Sequence, residues 1–106
     1  MPLPLIIISA FFFKLNSLAH DLFDSLKNPE LYSCPEGLER VQYDLSVGYS
    51  IISELQRLLS EAQAGGYPET TGKIEQLLSY LNTKIQELKA FQEKLMLLFP
   101  ATPSGK

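Results

Sequence analysis

The chain of 106 residues has no tryptophan, one histidine, one cysteine and few cations, and each shortage excludes something. A lone Cys34 rules out an intrachain disulfide. It fits a reducing compartment better than an oxidising one, and a cytoplasmic location is the expectation. A lone His20 cannot complete a nitrogen and sulfur metal shell, nor the two-histidine, four-carboxylate set of a di-iron bundle. Nine Lys and Arg against twelve Asp and Glu give a net charge of −3, the wrong sign for a nucleic-acid surface. The acidity falls on residues 33–66, with five acids and two bases, while residues 68–99 carry four of each.

Catalytic patterns are missing as well. The sequence contains no phosphate-binding loop, no dinucleotide-binding glycine pattern and no metalloprotease motif. Cys34 and His20 can be drawn as a nucleophile and base, but nothing supplies an orienting third residue or an oxyanion hole. His20 and Asp24, four residues apart, are two ligands at most. The sequence therefore calls for no enzyme, no cofactor and no metal.

What the chain does have is two apolar heptad runs of nearly equal length. The first is Leu38, Val41, Leu45, Gly48, Ile52, Leu55, Leu59 and Ala62; the second is Ile74, Leu77, Leu81, Lys84, Leu88, Phe91, Leu95 and Leu98. Steps of three and four place each set on one side of a helix. Between them Gly65-Gly66-Tyr67-Pro68 reads as a helix stop followed by a helix start. Ser33-Cys34-Pro35-Glu36 reads as a capping box. The pattern predicts helices over 35–64 and 68–99, each about 45 Å long, with Gly72 delaying ordered helix toward Lys73. A flanking line of Val47, Ile51 and Leu58 runs unbroken past Gly48, so that glycine is read as the site of a close packing contact, by another helix or a bulky ring, rather than a hinge. Leu78, Ile85 and Phe99 form a second line on the last helix, and a helix with two apolar lines touches two neighbours.

A further helix is predicted over 5–27, stopped by Asn28-Pro29. Its apolar face is Phe12, Leu15, Leu18, Ala19, Leu22, Phe23 and Leu26. Short connectors make sequential neighbours antiparallel. The expectation is an all-α, up-down-up antiparallel three-helix bundle, a single domain built on a long helical hairpin, with a loose tail at 101–106.

The N-terminal segment carries the main functional candidates. Ile6, Ile7, Ile8, Phe11, Phe12 and Phe13 point in directions about 100° apart on a helix. One intramolecular groove cannot enclose all six, so another surface must. Lack of a cationic face argues against a lipid-surface helix, leaving another protein chain as the expected partner, a second copy or a helical complex, with membrane contact disfavoured. A second candidate is the face of small side chains on the middle helix, Tyr43, Ser46, Ser50 and Ser53, where surface helices more readily use Glu, Lys or Gln. The alternative is a secreted or membrane-associated protein, with Leu3–Phe13 as a signal or anchor and Ser17 and Ala19 before a cleavage site. Against it, no Lys or Arg precedes the run, Lys14 interrupts it, and the Leu15, Leu18, Leu22, Leu26 stripe crosses the proposed cut. The eleven-residue run by itself is too short to span a bilayer.

Overall fold

The computed structural model describes residues 3–24 and 36–98. It is an all-α, up-down-up three-helix bundle: α1 is Leu5–Phe23, α2 is Gly37–Gly65 and α3 is Pro68–Leu98. The molecule is elongated, 55 × 29 × 17 Å, because the α2–α3 hairpin sets its length.

The turn between α2 and α3 follows from its glycines. Gly66 lies at φ 74°, ψ 41°, the left-handed region that a side chain resists. In that conformation the Gly66 N–H donates to the Gln63 carbonyl at 3.1 Å, and the Tyr67 N–H donates to the Ala62 carbonyl at 3.0 Å. These bonds satisfy carbonyls that the helix end would leave open. Gly65 has a different reason: a Cβ there would stand 2.5 Å from Cε2 of the Tyr67 ring, which folds back over the turn. Pro68 then opens α3, where its missing N–H removes no helical bond. Ordered helix runs through Gly72 from Pro68, not from Lys73. The Thr71 N–H donates to the Tyr67 carbonyl at 2.9 Å, so the helix is bonded from its first turn, ahead of Gly72.

Helix starts depart from the expected caps. α2 begins with Glu36 in the capping position, without a side-chain capping bond, rather than with Glu36 inside the first turn. Ser33, Cys34 and Pro35 of the predicted box lie outside the described residues, as do residues 25–27, the Asn28-Pro29 stop, Phe99 and the 101–106 tail. α1 starts on Pro4, whose carbonyl accepts from the Ile7 and Ile8 N–H groups at 3.0 and 3.1 Å.

Both heptad runs build the core. Val41, Leu45, Leu55 and Ala62 of α2 pack with Ile74, Leu77, Leu81, Ile85, Leu88 and Leu95 of α3. Several members depart from the runs, and Leu38 and Phe91 are among those packed against the core while partly exposed. Ile52 and Leu59 are only half-buried, while Ile51 and Leu58 of the flanking line are buried. The reason is that α2 sits in the middle: one edge of its apolar arc faces α3 and the other faces α1, whose packing on α3 is the lesser contact. Leu98 also departs, at 64% exposed, as the last residue of α3.

α1 lies antiparallel to α2 and is shorter. The Leu3 N–H donates to Glu61 Oε1 near the end of α2, at 2.9 Å. At the other end of α1, Phe23 reaches Gly48, in the middle of α2. A Cβ on Gly48 would stand 3.3 Å from Phe23 Cζ and 3.4 Å from Ile85 Cδ1. Gly48 is thus the notch where all three helices meet, as the packing reading predicts, with Phe23 as the ring that fills it.

Candidate interaction surface

α1 contributes only Ile8, Ala19 and Phe23 to the fully buried core. Phe12, Leu15 and Leu22 pack against that core while remaining partly exposed. These six lie on one side of the helix, which leaves the opposite side to solvent. There stand Ile6 at 76% exposed and Phe13 at 72%, seven residues apart and so two turns along one line. Ile7, Phe11 and Leu18 are exposed along the flank nearer α2, at 40%, 52% and 46%.

Of the six predicted contact residues on α1, one is turned to the core and not to a partner: Ile8. Ile8 is completely buried, and Phe12 is half-buried against the core. Ile8 stands four residues before Phe12 and seven before Leu15, on the core-facing side of α1, while its two isoleucine neighbours are rotated away from it. Ile6, Ile7, Phe11 and Phe13 remain outward. On α2, Tyr43, Ser46, Ser50 and Ser53 are all exposed, as a solvent-facing line requires.

Taken whole, α1 differs from the eleven-residue run that the sequence isolates. Helix continues from Phe13 to Phe23, and the full nineteen residues are long and apolar enough to cross a membrane by length and composition. The same composition suits a signal segment near the start of a chain.

Two clefts flank α1. Between α1 and α2 an opening of about 420 Å³ has Leu15, Leu18, Leu58 and Phe11 along its floor and Lys14, Glu54, Arg57 and Glu61 around it. One ion pair stands there, with Arg57 Nη1 3.6 Å from Glu54 Oε2, and Glu61 accepts from the Leu3 N–H. Between α1 and α3 a more polar opening of about 360 Å³ is formed by His20, Asp21, Asp24, Tyr80, Lys84 and Glu87. Here the His20 and Tyr80 rings stack at 4.5 Å with a 36° tilt. Lys84 Nζ sits 5.7 Å from the Tyr80 ring and 3.5 Å from Glu87 Oε1. Lys84 thus occupies a heptad position by laying its methylenes along the seam and turning its ammonium outward. Tyr80 is partly buried, with the His20 ring against it. No spacing rule links residues sixty apart, so this pair was not visible beforehand.

Among the described residues no cluster of three His, Cys, Asp or Glu side chains is placed to hold a metal ion. Cys34 lies outside the described residues. The described residues define an all-α three-helix bundle whose first helix leaves large apolar side chains exposed, chiefly over its first half. No family model, curated protein or solved structure matches the chain.

Proposed function

We propose that the chain is a non-enzymatic helical interaction module that joins another protein chain through helix–helix packing. The observation that supports this most is the outer side of α1, where large apolar side chains stand 40% to 76% exposed. Burying the exposed part of each such side chain is worth roughly 1–2 kcal/mol, so a partner must cover several together to offset the cost of association. The face of Tyr43 and the serines on α2 is a second, weaker candidate for contact. Nucleic acid is not an expected partner of a chain with net charge −3.

The test is the size of the native complex. In an extract of the natural host, the wild-type chain should run in a species larger than one chain. The double variant Ile6→Ser and Phe13→Ser should run as a single chain while keeping its helical signal. A variant that stays in the larger species would remove the support from α1.

A second reading, a secreted or membrane-associated helical protein, is favoured by the length and apolar composition of α1. Intact mass of the protein made in its host separates the two. Loss of the first nineteen residues supports secretion, and a chain of full mass that floats with membranes supports an anchor. A cytoplasmic location goes with the first reading.

A further inference from the structure

The outer side of α1 has a size pattern as well as an apolar one. Ile6, Ala10, Phe13 and Ser17 follow steps of four, three and four, so they form one line along the helix. All four are exposed, and none is charged. Along the line a large side chain alternates with a small one. We propose that this line packs antiparallel against the same line on a second copy of the chain, about a two-fold axis passing between Phe11 and Phe12. The inference rests on the reading of α1 as a contact surface and names its partner.

A closed two-fold contact requires a surface complementary to itself. In the antiparallel register, Ile6 falls opposite the partner's Ser17, and Ala10 falls opposite the partner's Phe13. Every layer then joins one large residue to one small one, and each knob has a hole. In a parallel pairing each residue would meet its own copy. Layers of two phenylalanines would alternate with layers of two alanines or two serines, too wide and then too empty for one interhelical distance. The alternation therefore selects the antiparallel arrangement.

The available area agrees. Ile6 and Phe13 with the flanking Ile7, Phe11 and Leu18 have the exposures given above. They present roughly 500 Å² of apolar surface per copy, counting an exposed large side chain as about 150–200 Å². A standard interface buries about 800 Å² per partner, about 65% of it apolar in homodimers, which is also roughly 500 Å². The contact thus extends from the outer line onto the flank of Ile7, Phe11 and Leu18, where Phe11 and Leu18 also form one edge of the cleft against α2.

Sedimentation equilibrium of the purified full chain at micromolar concentration tests the proposal. The expected mass is that of two chains. Ala10→Lys and Phe13→Glu, both on exposed positions, should each give one chain's mass with an unchanged helical signal. Mixing the two variants in equal amounts should restore the dimer, because the antiparallel register sets the new lysine against the new glutamate in one layer and keeps the native pair in the other. A monomeric wild type overturns the proposal, as does a dimer that survives both substitutions. Failure of the mixture to re-form a dimer overturns it too, since a parallel pairing sets each new charge against a native side chain. A monomeric wild type that instead binds phosphatidylcholine vesicles assigns the line to a lipid surface. If the purified chain is monomeric while the host complex still depends on Ile6 and Phe13, self-pairing falls and the contact surface stands.

Discussion

The α2–α3 hairpin and α1 use apolar residues in opposite ways. The hairpin alternates apolar and polar residues, and nearly all of its heptad side chains reach the core. α1 is apolar almost all round its first half, yet it buries three of its nineteen residues. More apolar sequence has produced less burial, because a helix can offer only one side to a groove. The hairpin's pattern specifies which side that is. α1's pattern specifies it weakly, so its position depends on local fits: Ile8 at one end, and Phe23 against Gly48 at the other.

The largest effect should come from breaking the hairpin. Leu81 has no exposure and lies in the central layer. Leu81→Asp puts a carboxylate where no partner or water reaches it, at a cost of several kcal/mol. Domains of this size are stable by about 5–15 kcal/mol, so the variant should lose most of its helical signal or melt far below the wild type. A melting temperature near the wild-type value would show that the hairpin seam is not the main support.

Phe23→Ala tests the other side of the comparison. The ring is 3% exposed, and truncating a buried phenylalanine costs about 3–5 kcal/mol. If α1 is the separately docked element, amide protection should fall chiefly over residues 5–23 while α2 and α3 keep most of theirs. Equal loss in all three helices would show one cooperative unit, and the contrast between hairpin and α1 would be one of pattern alone.

This contrast also explains what could be read from the sequence. Three helices, the turn at Gly66 and the packing role of Gly48 were all legible, because periodicity and glycine placement carry them directly. The fate of Ile6, Ile7 and Ile8 was not. Three consecutive isoleucines have no polar residue among them to mark an outer side, and only the phase carried back from Phe12 and Leu15, four and seven residues on, singles out Ile8 as the buried one. The division of α2's arc between Ile51 and Ile52 was hidden for a related reason: both are apolar, and the choice depends on where α1 and α3 stand. The stack of His20 on Tyr80 joins helices distant in sequence and has no periodic signature.

The smallest effect, and the sharpest test of how α1 docks, is expected at Gly48. Alanine is a better helix residue than glycine by about 1 kcal/mol. Its Cβ, however, would stand 3.3 Å from Phe23 Cζ, closer than such atoms ordinarily approach, and in contact with Ile85 Cδ1 at 3.4 Å. The gain in the helix and the crowding of the ring oppose each other, so Gly48→Ala should change stability by less than about 1 kcal/mol. In a Phe23→Ala background the ring is gone and only Ile85 remains near. There the same substitution should stabilise by about 1 kcal/mol, because helix propensity is then the main term. Urea unfolding of the four proteins in this cycle measures the difference, with a coupling of at least about 0.5 kcal/mol expected for residues in contact. An identical effect of Gly48→Ala in both backgrounds would show that the ring does not press on the notch, and that α1 is held by something other than Phe23.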